Sequence, residues 1–498
     1  MRGMCAPPWF VPHIGRVVRH SAGLGVTWLL VGIAASLTAV PCGHAQDAVP
    51  SSRQDGTLAH HASRPNIIVV VVDDLGVGDV GFCHGRDIAT PNLDQLAREG
   101  AVFAQGYVLP MCSPTRAALL TGRYPQRFGI EDNRLLDGRA TGMDIREFTL
   151  AQALHKAGYV THLVGKWHLG QGAQWQFAPY HRGFDHFLGF YGAAGTYFDP
   201  LLSRNGTEQS FRGYNTDILT DAACEIVADR AQRGAEAPPF FLHLAYLAAH
   251  LPQQAKPDDL ARYAHLDPTR RMAAAIIHNL DENIGRLMQS IQDNGMDDRT
   301  LLFFLSDNGG EPPILGTSNG PLRGQKFDLY EGAIRVPFLA RWPGHIPAAT
   351  QFEPMVHVTD IFPTALAAAG HKPSGELDGV DLLPILQGKI TGRPHERLYW
   401  LTTDHAQWRR PDRDTNDAQR MAAMRLGEWK LIDLGSDRPQ LYRIPSDPAE
   451  AHDLAAAEPN RVQQMLKELN AWRESMTPQV VPSDHPIYGR AALQRKGP

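Results

Sequence analysis

Short, nearly continuous apolar runs alternate with segments of helical periodicity between residues 64 and 340. Runs of this length without polar alternation are typical of parallel strands that are buried on both faces of a sheet. The pattern therefore predicts an α/β fold class, with a large, mostly parallel central sheet that is flanked by helices. We place this main domain at residues 64–394.

The pattern changes near His395. It predicts short strands around residues 398–402, 424–434 and 440–444, and then a helix from about Glu458 to Ser475. Apolar residues recur along that helix at helical spacing, which indicates core packing rather than a binding surface: Val462, Met465, Leu466, Leu469 and Trp472. We therefore expect a smaller C-terminal α+β domain at 395–498, with a short antiparallel sheet, a packed helix and an extended tail.

The N-terminal segment has the pattern of a secretory signal peptide. A basic stretch precedes the apolar run from Leu24 to Val40, and the small residues Gly43 and Ala45 follow at cleavage-site spacing. We predict a signal at 1–45 and a polar tether at 46–63, and hence export to the periplasm or secretion. An uncleaved N-terminal anchor is the alternative, because the run is near the lower limit of a membrane span.

Composition excludes several classes of protein. The 498 residues are 43% hydrophobic and 20% charged, values that argue against disorder and against a multi-span membrane protein. The net charge of −5 gives no basic field for nucleic acid. After signal cleavage three cysteines would remain, Cys83, Cys112 and Cys224. An odd number leaves a thiol unpaired, which in an exported protein calls for a function.

Four of the apolar runs end in polar residues of the kinds that bind ligands. In open α/β sheets ligands bind beyond the carboxyl ends of the strands, so these side chains are predicted to face one site. A single Asp in such a place is more often a turn or cap residue, but adjacent acids need a positive partner. The run ends supply Asp73, Asp74, Lys166, His168, His250, Asp307 and Asn308.

Three carboxylates and one amide oxygen among these residues form a hard ligand set. Such a set suits Ca²⁺ or Mg²⁺ rather than zinc, and we expect one divalent cation there. Lys166, His168 and His250, with Lys326 from a later loop, would face it. Each alone would be an ordinary surface lysine or structural histidine, but together they predict a pocket for a tetrahedral oxyanion.

The segment MCSPTRAALLTGRYPQR predicts a helix that begins near Cys112 and stops at Gly122. Pro114 fits the first turn, and strong helix formers follow it. We expect the helix dipole to lower the pKa of the Cys112 thiol and to favour bound anions. Arg116, one turn later, argues against a cysteine that serves only for packing.

The run C-S-P-T-R, from Cys112 to Arg116, resembles the signature of the type I, formylglycine-dependent sulfatases. The resemblance is to arylsulfatase-like and N-acetylgalactosamine sulfatase-like members of the alkaline phosphatase-like superfamily. It covers nearly the whole mature chain, through the motifs GKWHLG, RGFDHFLGFYG, SDNGG and EGAIRVP. The chain departs from it at Ala333, where many relatives have glycine, and in the LAAHLP segment around His250.

The resemblance implies a catalytic sulfatase domain at 64–394 and assigns a role to each site residue. It implies conversion of Cys112 to formylglycine (3-oxoalanine) by a formylglycine-generating or anaerobic maturation enzyme that acts on the unfolded chain. Formylglycine would be the nucleophile, Arg116 would orient it and His168 would contact its hydroxyls. The implied Ca²⁺ ligands are Asp73, Asp74, Asp307, Asn308 and residue 112; the implied sulfate-binding residues are Lys166, His250 and Lys326.

The implied reaction is hydrolysis of a sulfate ester, on a sulfated carbohydrate or an aryl sulfate, through a covalent enzyme-sulfate intermediate. We expect no nucleic acid partner and no stable membrane insertion after signal cleavage. Tyr191, Tyr197 and Phe198 would line the leaving-group subsite or anchor the core. Two alternatives stay open: a phosphomonoesterase or phosphodiesterase of the same superfamily, and a silent carbohydrate-binding protein with unmodified Cys112.

Overall fold

The computed structural model describes residues 64–133, 142–170, 175–403, 420–435 and 438–478. The predicted signal at 1–45, the tether at 46–63 and the end of the tail lie outside these residues. Within these ranges, no helix is long and apolar enough to cross a bilayer.

The main sheet has ten strands in the described part of the chain, in the order β10-β2-β9-β8-β1-β7-β3-β4-β5-β6. Its strands are β1 (Asn66–Val72), β2 (Ala101–Tyr107), β3 (Val160–Lys166), β4 (His186–Phe190), β5 (Leu201–Arg204), β6 (Thr207–Ser210), β7 (Phe240–Ala245), β8 (Thr300–Ser306), β9 (Phe338–Arg341) and β10 (Thr350–His357).

The centre of this sheet is parallel. Strands β8, β1, β7, β3 and β4 run in one direction as neighbours, and β10 pairs in parallel with β2. Antiparallel pairing is confined to β9 and to the β5 and β6 edge. The prediction of a mostly parallel α/β sheet is confirmed.

Helices cover both faces of the sheet, and this explains why β1 is apolar from Ile67 to Val72. Ile67, Val69 and Val71 point into one core, whereas the alternate residues of the strand point into the other. The helices are α1 (Pro91–Arg98), α2 (Cys112–Thr121), α3 (Leu150–Lys156), α4 (Asn215–Gln232), α5 (Pro257–Arg262), α6 (Pro268–Asp293), α7 (Pro312–Leu315), α8 (Glu331–Ile334), α9 (Ile361–Ala368), α10 (Leu383–Leu386) and α11 (Pro459–Glu474). Short 3₁₀ turns occupy Val77–Asp79, Gly81–Cys83, Pro125–Phe128, Trp175–Phe177, Pro179–His181, Asp297–Arg299 and Val358–Asp360.

The C-terminal region forms the expected small antiparallel sheet with a packed helix. Its strands are β11 (Arg397–Thr403), β12 (Arg420–Leu426), β13 (Trp429–Asp433) and β14 (Gln440–Arg443), and α11 packs on them through its apolar stripe. The single strand expected at 424–434 is wrong, because a turn with Gly427 at φ 53° divides it into a hairpin. The domain division at 394/395 stays a prediction.

A buried ion network joins the two sheets. Lys430 on β13 is fully buried, with its Nζ 3.0 Å from Glu331 Oε1 and 2.8 Å from Glu450 Oε1. The Tyr107 hydroxyl on β2 donates to Glu331 Oε2 at 2.8 Å. Since Glu331 begins α8, shortly after Lys326, the network fixes the C-terminal sheet against the loop that carries a predicted site residue.

Candidate active site

The carboxyl ends of β1 and β8 bring four predicted ligands together. Val72 and Ser306 are partners at the end of the parallel register, so the residues that follow them lie side by side. The Asp307 amide donates to the Val72 carbonyl at 2.9 Å and extends this alignment by one residue. The Asn308 side chain donates to Asp74 Oδ1 at 2.6 Å.

The oxygens at these strand ends form a compact cluster with the predicted nucleophile position. One ligand atom from each of Asp73, Asp74, Asp307 and Cys112 lies within 4.8 Å of the others, and all four side chains are buried. Asp73 Oδ1 and Asn308 Oδ1 are buried and accept no hydrogen bond from any residue that the structure describes. Unsatisfied carboxylate and amide oxygens of this kind fit a hard divalent cation.

Three cationic side chains surround the same cluster. Lys166 Nζ lies 2.5 Å from Asp73 Oδ2, Lys326 Nζ lies 2.8 Å from Asp74 Oδ1, and Arg116 Nη2 lies 2.6 Å from Asp307 Oδ2. All three cations are buried. Three carboxylates and three cations balance, so a divalent cation and a tetrahedral dianion could enter together without leaving net buried charge.

The carboxylates differ in how strongly these partners hold them ionised. Burial alone would raise the pKa of Asp74, but the nearby Lys326 and His250 bring it down to about 2. Burial, followed by repulsion from Asp73, raises the pKa of Asp307 to about 6 despite the contact with Arg116. The pKa values of the two acids are thus shifted in opposite directions from the usual value within one cluster.

The predicted helix at Cys112 is confirmed. Helix α2 runs from Cys112 to Thr121 and ends at Gly122, whose φ of 66° is left-handed. The expectation that the dipole lowers the thiol pKa is wrong: burial raises the pKa of Cys112 to about 12, although Lys166 and Lys326 oppose it. A helix terminus contributes about 0.3–1 kcal/mol, less than one pKa unit, whereas full burial can shift a pKa by several units.

His250 lies at the edge of the cluster. Its Nε2 is 3.9 Å from Asp74 Oδ2 and its Nδ1 is 2.9 Å from the Leu251 carbonyl oxygen. Burial, followed by repulsion from Lys326 and Lys166, lowers the pKa of His250 to about 3. Its imidazole is therefore neutral at physiological pH, with Nε2 directed towards the carboxylates.

His168 is tied to the start of α2. It follows β3 two residues after Lys166, is buried, and has a left-handed φ of 52°. The Ser113 hydroxyl donates to its carbonyl oxygen at 2.9 Å. This bond couples the segment with Lys166 and His168 to the residue that follows Cys112.

The sequence interpretation missed two buried residues that fix the loops of this site. Asp79 accepts hydrogen bonds from the amides of Gly76 (2.8 Å) and Ser318 (2.9 Å) and pairs with Arg270 of α6. Asn319 accepts from the Gly310 amide at 2.8 Å and so holds the loop after Asn308. The available signals in the sequence were an Asp in a glycine-containing segment and an Asn-Gly pair, but both are usual in simple turns.

The aromatic residues separate into two kinds. Tyr197 is fully buried, and its hydroxyl donates to the carbonyl of His250 at 3.0 Å, so it anchors the His250 loop instead of lining an open subsite. Phe198 is 41% exposed, and Tyr191 is partly buried. Of the three, Phe198 keeps the most surface for a ligand.

Two family models match the chain. The model described as Sulfatase matches residues 65–371, and the model described as N-sulphoglucosamine sulphohydrolase, C-terminal, matches residues 325–475. Together they extend across both sheets.

Similar proteins agree with these models. Human arylsulfatase A is 34% identical over 473 residues, covering 82% of this chain and 87% of the relative. Human N-acetylgalactosamine-6-sulfatase is 36% identical over 361 residues, covering 66% of this chain and 67% of the relative. The structure of Ps i-CgsB in complex with k-i-k-neocarrahexaose has a TM-score of 0.77 at 32% identity, covering 86% of this chain and 100% of that chain.

Proposed function

Since this chain belongs to the sulfatase family and is a sulfatase, we propose that it removes sulfate from a sulfated carbohydrate, or from an aryl sulfate, with formylglycine at position 112 as its nucleophile. The observation that carries the proposal is the position of Cys112. Its side chain lies at a helix N-terminus, within 4.8 Å of a ligand atom of Asp73, Asp74 and Asp307, where Lys166 and Lys326 also point.

Asp73, Asp74, Asp307 and Asn308 are proposed to hold Ca²⁺ together with residue 112. The oxygen donor set and the two unsatisfied buried oxygens support this assignment, and Mg²⁺ fits less well because it retains waters that a closed cluster excludes. When bound, the ion would neutralise the sulfate oxygens and lower the pKa of the attacking hydroxyl. Arg116 keeps Asp307 oriented through its 2.6 Å contact.

The side chains of the site bind the sulfate group and transfer protons during the reaction. Lys166, Lys326 and His250 bind sulfate oxygens. One hydroxyl of the hydrated aldehyde at position 112 gives its proton to a carboxylate of the cluster and attacks sulfur, and the bond from sulfur to the ester oxygen breaks. The alcohol leaves with a proton from Lys326, or from His250, whose pKa the negative charge of the bound sulfate group raises.

Release then follows by elimination. The remaining hydroxyl at position 112 gives its proton to His168, the aldehyde carbonyl re-forms, and the carbon–oxygen bond to sulfate breaks. Water restores the hydrate. A serine hydroxyl could make the first bond but has no second hydroxyl from which to eliminate sulfate.

Carbohydrate as the substrate class is supported by the relatives. Ps i-CgsB is solved in complex with k-i-k-neocarrahexaose, and a human relative is named N-acetylgalactosamine-6-sulfatase. The exposed ring of Phe198 offers an aromatic face of the kind that packs on sugar rings.

Export and prior maturation complete the proposal. Residues 1–45 are proposed as the signal that directs the chain to the periplasm or outside the cell. Cys112 is 1% exposed in the folded chain, which supports a maturation enzyme that acts before folding.

Two measurements test the function. Mass spectrometry of the peptide that contains Cys112 should show a loss of about 18 Da relative to the cysteine form. Hydrolysis of an aryl sulfate should exceed that of the matching aryl phosphate by orders of magnitude. An intact thiol would favour a silent binding protein, and a preference for phosphate would favour a phosphoesterase.

A further inference from the structure

A second group of potential metal ligands lies between α5 and α6, away from the oxygen donors of Asp73, Asp74, Asp307 and Asn308 beside Cys112, which we call the strand-end cluster. It consists of Asp259 on α5 and of His278 and Glu282 on α6, and one ligand atom from each lies within 4.8 Å of the others. His278 and Glu282 are four residues apart on one helix, so they project from the same face. We call these three residues the α5/α6 cluster.

Asp259 is the buried member of the α5/α6 cluster. Its residue is 6% exposed, and its Oδ2 has no hydrogen-bond partner in the described residues. Its Oδ1 is 3.9 Å from Arg262 Nε, at the outer limit of an ion pair. Burial and then repulsion from Glu282 raise the pKa of Asp259. A buried carboxylate that faces a second carboxylate is costly unless a cation lies between them.

His278 is oriented to complete a ligand set. Its Nδ1 lies 3.2 Å from the Tyr263 hydroxyl, an outer contact of the kind that fixes ring orientation and tautomer in metal sites. Its Nε2 is buried without a hydrogen bond from the described residues and lies 3.4 Å from Glu282 Oε1. Ligand atoms about 2.1 Å from a tetrahedral zinc ion are roughly 3.4 Å apart, so this pair already has the required separation.

We propose that Asp259, His278 and Glu282 bind a divalent transition metal, with Zn²⁺ as the ion that fits best. One imidazole nitrogen and two carboxylates balance a dication, and water fills the fourth position. The nitrogen ligand distinguishes this site from the all-oxygen strand-end cluster, which suits a hard cation. The ion would link α5 to α6 and so hold in place α5, the helix that follows the segment beginning at His250.

Zinc titration of the full-length protein in saturating Ca²⁺ tests the site. Calorimetry should show one zinc equivalent in the wild type that is absent in His278→Gln and in Glu282→Gln. Glu282 is 49% exposed, so its substitution leaves the core intact and keeps the test valid if His278→Gln folds poorly. Two controls should retain the equivalent: His265→Gln, which changes an exposed histidine nearby, and Cys112→Ala, which removes the thiol of the other cluster.

The result that overturns the proposal is equally definite. An equal zinc stoichiometry in Glu282→Gln and the wild type, or no zinc equivalent in the wild type, would show that the α5/α6 cluster holds no metal. Anomalous scattering at the zinc edge should place a peak among Asp259, His278 and Glu282; a peak found only beside Cys112 contradicts it.

Discussion

Replacement of Lys430 by methionine should destabilise the protein strongly. The change removes a fully buried cation that lies 3.0 Å from Glu331 and 2.8 Å from Glu450, while the methionine retains most of the side-chain volume. Breaking a buried pair by removing one partner costs about 3–5 kcal/mol, because a buried charge is left uncompensated. With roughly 1.0 kcal/mol/K of unfolding entropy for a chain of 498 residues, the melting temperature should fall by about 3–5 °C.

The pH dependence identifies the cause. Burial would raise the pKa of Glu331, but Lys430 and then Arg425 lower it to about 2, so in the wild type its ionisation stabilises the fold above pH 4.5 and is lost only as the pH falls towards 2. Burial already raises the pKa of Glu450 despite Lys430. Without Lys430 the pKa of Glu450 should rise further. The penalty of Lys430→Met should therefore shrink from pH 8 to pH 5 as that carboxylate takes up a proton.

The assay is urea unfolding followed by circular dichroism at pH 8 and pH 5. Lys467→Met removes an exposed lysine from α11 and should change stability by less than about 0.5 kcal/mol. A loss below 1 kcal/mol for Lys430→Met, or an equal loss at both pH values, would refute the role assigned to this network.

Four further outcomes are expected. Cys112→Ser should retain a covalent sulfate after one turnover, visible by intact mass, and steady turnover by this variant would exclude the elimination step. Chelation of Ca²⁺ should lower activity by more than about 100-fold, with recovery on adding Ca²⁺ back; full activity in chelator would contradict the metal assignment. Gly165→Ala should reduce both stability and activity, because the φ of Gly165 is 109° and a Cβ there would lie 1.9 Å from the Ala245 carbonyl oxygen. In the control Gly344→Ala the added Cβ meets no atom within 4 Å, so the free energy of unfolding should fall by only about 1 kcal/mol. His395 Nε2 contacts both oxygens of buried Asp360, at 2.8 and 2.9 Å, and this contact raises the pKa of His395 although burial opposes it. The stabilisation from the pair is complete below the unfolded pKa of about 6.5 and is lost as the pH rises through the folded pKa. His395→Gln should therefore destabilise the fold more at pH 6 than at pH 9.5, and the reverse order would be inconsistent with the pair.

The strand-end cluster could be predicted from sequence because its geometry follows from local patterns. An apolar run identifies each buried strand, and parallel pairing places the residues after it at a common edge. Asp73 and Asp307 meet for this reason although 234 positions separate them. The same logic places Lys166 opposite them.

The supporting polar contacts could not be predicted in this way. Glu331 on α8, Lys430 on β13 and Glu450 in the segment after β14 share no periodicity, and their burial follows from the docking of two sheets. Asp79 and Asn319 act on backbone groups of loops, whose paths no hydrophobic pattern records. The pKa of Cys112 was misjudged because burial depends on the complete fold, whereas the helix terminus is visible locally.

The near-complete enclosure of Cys112, at 1% exposure, has a consequence for any preparation of this protein. A molecule that folds with an unconverted thiol has no surface at which a later repair could begin. Under the proposed conversion of Cys112 to formylglycine, the active fraction is therefore decided before the chain folds, and specific activity records how well conversion kept pace with folding. Refolding a poorly active batch in the presence of the converting enzyme, rather than further purification, is the route to recovering it.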